Sequence, residues 1–120
     1  MDFVRNAEMD MWHAFEKSPN QANLVTGAPA RCLDLHVPVA AQWISYAGKT
    51  IYKCEESLNL AARDGLWTGR PGFSIKRWNF WKMRAGWIAD LPKGLVRLET
   101  KSIAREIVEK MEQIEEEEYL

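Results

Sequence analysis

Apolar positions in the chain recur mostly at helical spacing. Between Asp2 and Lys17 the repeating positions are Val4, Ala7, Met11, Ala14 and Phe15, with Trp12 beside them. Asp2 suits the N-cap of this first helix, and Ser18-Pro19-Asn20 ends it, because proline cannot donate to the ladder and restricts the residue before it. From Asn20 to His36 no period holds. Gly27, Pro29 and Pro38 punctuate that stretch, which reads as a long loop, either ordered by Leu24, Val25, Leu33 and Leu35 or mobile. Pro38 then fits the first turn of a second helix reaching about Glu56. Ala40, Trp43, Ile44, Ala47, Ile51 and Cys54 share one of its faces, and Tyr46, Gly48 and Tyr52 lie off that line. The small residues Ala40, Ala47 and Gly48 would let another helix approach closely.

The segment from Gly65 to Phe73 is a connector dense in glycine and aromatic residues, and Ser74 after it is a good N-cap for a third helix, Ile75 to about Ala89. Two apolar stripes run along this helix. One is Ile75, Trp78, Trp81, Ala85 and Ile88; the other is Phe80, Met83 and Trp87. Such a helix either packs between two neighbours or keeps its second side for a partner. A fourth helix begins at Glu99 or Thr100 with the seam Ile103, Ile107, Met111 and Ile114, widened by Ala104 and Val108. Glu106 with Lys110, and Arg105 with Glu109, place opposite charges four apart on its outer side. Nothing alternates at period two. The expected fold is all-α, about four helices in an irregular bundle with a long loop in the N-terminal half, a single domain over residues 1–120.

Charge changes the picture locally rather than globally. The formal net charge of −1 gives no overall pull toward nucleic acid or an acidic membrane. Between Leu60 and Arg97, however, Arg63, Arg70, Lys76, Arg77, Lys82, Arg84, Lys93 and Arg97 face only Asp64 and Asp90, while the last helix ends in Glu115-Glu116-Glu117-Glu118. That acidic end is either a solvated tail or lies antiparallel along the basic third helix, where Arg77 and Arg84, seven apart, would share a face. Cys32 and Cys54 are too few for a disulfide framework, Met1-Asp2-Phe3-Val4 opens without an apolar signal core, and no apolar run approaches a membrane span. The expectation is therefore an intracellular protein, cytoplasmic or nuclear, with no membrane partner.

Candidate chemistry is sparse. Cys32, His36, His13 and Cys54 can be written as a zinc set, but the spacing matches no paired-ligand pattern, so ordinary thiols and no metal are expected. A Cys–His nucleophile lacks a visible orienting group, and Asp34, Asp64 and Asp90 sit where capping explains them. The turn Gly69-Arg70-Pro71-Gly72 before Ser74 has donors for an anion, yet neither the lysine of a P-loop nor a dinucleotide glycine pattern; a rigid turn aiming Trp67 and Phe73 inward is the simpler reading. Basic and aromatic residues interleave from Lys76 to Arg84, as in single-strand binders, but Trp78 and Trp81 share the core-facing stripe, so nucleic acid is disfavoured. Neither a catalytic residue nor a cofactor is assigned.

Leu66-Trp67-Thr68-Gly69-Arg70-Pro71-Gly72-Phe73-Ser74, followed by Arg77-Trp78-Asn79-Phe80-Trp81-Lys82, resembles the signature of a family of uncharacterised fungal helical proteins, a domain of unknown function. Val39 to Ile44, Ala47-Gly48, Ile51-Tyr52, the stretch from Ala104 to Glu112 and the opening at Asp2-Phe3 are similar too. The resemblance implies a helical fold with no established activity, and further helices before the region matching Asp2, so that this chain would be a C-terminal portion or a shortened relative. Uncovered apolar faces would then favour self-association. The reading taken forward is a non-catalytic interaction module that self-associates as a homodimer or other homo-oligomer, or binds a protein partner, through the Trp-rich helix. Its face is drawn from Trp67, Arg70, Arg77, Trp78, Phe80, Trp81, Met83, Arg84 and Trp87. The alternative is a small-molecule binder or enzyme with a Trp-lined pocket between helices, anchored by Arg70, Arg77 or Tyr52.

Overall fold

In a computed structural model, residues 3–17, 28–54, 66–67 and 73–119 are described. They form helix α1 (Phe3–Met11), which widens into a π-helical turn (Trp12–Glu16), then α2 (Ala28–Lys53), α3 (Ile75–Ala89) and α4 (Leu98–Tyr119). No strand occurs among the described residues, and the chain is all-α.

The contacts set these elements in a ring. His13 stacks on His36 and the Trp43 indole donates to Asp10, so α1 runs antiparallel to α2. Asp34 receives Thr100 and the Arg97 amide at one end of α2, and Lys49 meets Glu117 near the other, so α2 and α4 are parallel. Lys82 pairs with Glu115 while Arg105 reaches the Ala89 carbonyl, which makes α3 antiparallel to α4. The π turn closes the ring against α3. Apolar side chains from every element meet in the middle: Ala7, Met11 and Phe15; Val37, Ala40, Ile44 and Ile51; Trp78, Trp81, Ala85 and Ile88; Ala104, Ile107, Met111 and Ile114.

Three sequence expectations need correction. The helix expected to start at Pro38 begins at Ala28 and runs through the proline. Interior proline forfeits a ladder bond and clashes with the carbonyl four residues back, at about 3 kcal/mol or more. Here Leu33 and Val37 extend the Ala40, Ile44 and Ile51 stripe on the N-terminal side of Pro38, and their burial sustains the helix across it. Most of the expected loop thus shrinks; Leu33 is buried, Leu35 is exposed, and Leu24 and Val25 lie outside the described residues. Second, Gly48, read as lying off the packed line, lies on it, and the close helix approach expected there is present. A Cβ there would come within 2.5 Å of Ile114 Cδ1, so the glycine is what lets α2 and α4 approach. Third, Ile75 leaves the inner stripe and is 42% exposed.

Other expectations hold. Ser74 caps α3 by accepting the Arg77 amide at 3.1 Å, and the helix spans Ile75–Ala89 as read. It ends in a turn where Gly94, with φ of 99°, adopts a conformation that side chains resist.

Candidate interaction site on the third helix

The two stripes of α3 have different surroundings. On the inner side Trp78 and Trp81 are each 1% exposed, and Ala85, Ile88 and Ala89 are buried with them. The Tyr52 ring lies 4.8 Å from Trp78, and Phe73 meets Trp81 edge-on at 5.9 Å. Both indole N–H groups end on carboxylates, as buried indoles require. Trp78 Nε1 donates to Glu115 Oε2 at 3.0 Å, and Trp81 Nε1 donates to Glu16 Oε2 at 2.5 Å.

Glu16 is the centre of a buried charged cluster. It is 2% exposed, as is Arg77, whose Nε and Nη2 donate to its two carboxylate oxygens at 2.6 and 2.8 Å. Glu8, also buried, lies 3.6 Å from Arg77 Nη1, and its Oε2 meets no donor among the described residues. The π turn makes this possible. Lys17 N bonds back five residues to the Trp12 carbonyl, and the widened turn buries Ala14, Phe15 and Glu16 in succession. A forked guanidinium–carboxylate pair of this kind fixes the rotation of α3 against α1 more than it adds stability.

Arg77 and Arg84 therefore do not face the acidic tail. Arg84 Nε donates to the Phe15 carbonyl at 3.2 Å, and its guanidinium lies over the Trp87 ring at 4.1 Å, where burial pushes its proton affinity below the ordinary arginine value. The tail is held by lysines instead. Glu115 takes Lys82 at 2.9 Å, Glu117 takes Lys49 at 2.9 Å and Glu118 takes Lys53 at 3.5 Å, so it lies along both α2 and α3. The antiparallel course along α3 matches the sharper of the two sequence readings, through Lys82 rather than the arginines.

On the outer side Met83 is 55% and Trp87 is 36% exposed. Phe80 is half-buried beneath Trp67, the two ring centres 5.4 Å apart. Ile75 extends this apolar face toward the helix start. The nine residues singled out from sequence thus separate. Arg77, Trp78 and Trp81 hold the fold; Phe80, Met83 and Trp87, with Trp67 and Arg84 at the edge, make an outer face; Arg70 lies outside the described residues.

A recess of about 140 Å³ lies between α2 and α4, lined by Ile44, Gly48, Lys110 and Ile114 among others, with no tryptophan in its lining. Of the three anchors Arg70, Arg77 and Tyr52, Arg77 has its guanidinium clamped by Glu16, Tyr52 packs on Trp78, and Arg70 lies outside the described residues. Among the described residues no group of three or more His, Cys, Asp or Glu side chains is placed to hold a metal. Cys32 and Cys54 are half-buried thiols. Among the described residues no helix is long and apolar enough to cross a membrane.

The sequence profile of a family described as a protein of unknown function (DUF3632) matches residues 5–85. The chain belongs to this family. The DUF3632 match takes in α1 from Arg5, its π turn, α2 and α3 as far as Ala85, and so contains the whole Glu8–Glu16–Arg77–Trp81 cluster. No curated protein and no solved structure matches the chain.

Proposed function

We propose that this protein is a non-catalytic helical interaction module, which uses the outer face of α3 to associate with itself or with a protein partner. The observation that carries the reading is the division of one helix into two apolar sides. The inner side is sealed, while Met83 stays 55% exposed among Ile75, Phe80 and Trp87. Large apolar side chains clustered on one exposed helix face are the usual anchors of protein contacts. The buried Glu16–Arg77 fork supports the same reading, because it locks the helix rotation that points Met83 and Trp87 outward. A single domain, an intracellular site of action, a fungal source and a place at the end of a longer family fold complete the proposal.

The test is a photo-crosslinking residue at position 83 in the living cell, compared with the same residue at the exposed Glu112 on α4. A discrete protein adduct at position 83 and not at 112 is expected. Equal, diffuse labelling at both sites would remove the interaction face.

A further inference from the structure

Resting on that interaction reading, we infer that the occupant of the α3 outer face is a second copy of this chain, packed antiparallel so that Met83 of each copy seats over Gly86 of the other. At 3.6 residues per turn, Gly86, Asn79, Asp90, Met83, Lys76 and Trp87 fall within about 100° of one another, with half-buried Gly86 at one edge and the other five exposed. Gly86 is the unexplained member. Glycine inside a helix is unfavourable, and this one is not required by the fold, because a Cβ there would meet nothing within 4 Å. Gly48 shows the contrast: there the missing side chain makes room for Ile114 of the same chain. At Gly86 the equivalent notch opens outward, one turn from the most exposed apolar side chain of the helix.

Two-fold symmetry makes a notch and a knob on one face mutually complementary, since each copy offers both. With the axis passing between residues 84 and 85, Met83 lies opposite Gly86 of the other copy. The same register sets Asn79 opposite Asp90, an amide donor against a carboxylate, with Lys76 one turn away on the same face. Parallel pairing would instead place Asp90 beside Asp90 and Lys76 beside Lys76. Avoiding the Asp90–Asp90 contact therefore favours the antiparallel arrangement that the notch and knob require. The face is small, so the dimer is weak, in the micromolar range.

Sedimentation equilibrium of the whole chain from low to high micromolar concentration should show the mass rising from 13.9 kDa toward twice that value. Gly86→Arg, whose Cβ meets nothing of this chain within 4 Å, fills the notch and should weaken association by about tenfold or more with an unchanged circular dichroism spectrum. With Cys32 and Cys54 replaced by serine, Asn79→Cys chains mixed with Asp90→Cys chains should form the mixed disulfide in preference to either homodisulfide. A chain that stays at 13.9 kDa throughout, a Gly86→Arg variant that associates as tightly as the parent, or preferential Asn79→Cys homodisulfides would each overturn the inference. The position-83 crosslink separates this failure from that of the broader reading. An adduct with a different protein leaves an interaction face without a second copy, and no adduct removes both.

Discussion

Replacing Glu16 by glutamine should be the most damaging near-isosteric change in the molecule. The side chain keeps its volume but loses its charge, and one of its two acceptor oxygens becomes a donor that faces the Arg77 guanidinium. Arg77 is 2% exposed, so water cannot take over. Glu8 at 3.6 Å from Nη1 is a looser partner than Glu16. Breaking a buried ion pair from one side costs about 3–5 kcal/mol, a large share of a typical total stability of about 5–15 kcal/mol. At roughly 2.1 cal/mol/K per residue, 120 residues unfold with about 0.25 kcal/mol/K, so the midpoint should fall by about 12–20 °C. Urea unfolding followed by circular dichroism reads the loss. Replacing Glu8, Glu16 and Arg77 together by Leu, Leu and Met should recover most of it, less about 1 kcal/mol for the Trp81 indole left without an acceptor. A Glu16→Gln loss below about 1 kcal/mol would refute the reasoning, because the fork would then be a solvated pair rather than a buried one.

Three further outcomes follow from the packing. Gly86→Ala should stabilise the isolated chain by about 1 kcal/mol through helix propensity, whereas Gly48→Leu, driven against Ile114, should cost about 1–3 kcal/mol; parallel melts distinguish them. High salt should release the ends of the acidic tail, seen as faster amide exchange around Glu117 and Glu118, because their lysine partners are exposed. His36, held below its ordinary proton affinity first by burial, then by His13 and Lys17 against the opposing pull of Asp10, stays neutral in the folded chain at pH values where the unfolded chain protonates. Its contribution to stability is therefore complete above pH 6.5 and lost as pH falls below that value through the folded one. His36→Gln should flatten the pH dependence of unfolding in that window, and an unchanged slope would exclude His36 as its source.

Much of this architecture was legible because local signals and burial agree. Ser74 followed by two apolar stripes defined α3, and the Ile103, Ile107, Met111 and Ile114 seam defined α4 within a residue or two. Pro38 misled, since the local rule for proline was overridden by Leu33 and Val37 on its far side. The buried cluster was missed for another reason. Glu16 and Arg77 are 61 residues apart, and Glu16 sits at the end of α1, where a carboxylate normally meets water. One clue was available. On the helical wheel Arg77 falls beside Trp81 and Ile88, on the core side, and a cation placed there needs a buried anion. The π turn that supplies the anion has no sequence signature of its own. The division of α3 into a core-facing stripe with Trp78 and Trp81 and a second stripe of Phe80, Met83 and Trp87 was already legible, but the burial of Arg77 beside Trp81, which separates it from Met83 and Trp87, came only with the fold.

The separation of the two sides of α3 is tested most directly by unfolding Met83→Glu and Trp81→Ala side by side in urea at low protein concentration. Trp81→Ala should lose about 3–5 kcal/mol, and Met83→Glu should lose no more than about 0.5 kcal/mol. Comparable losses at both positions would show that Met83 belongs to the core, leaving α3 with no outward face to offer.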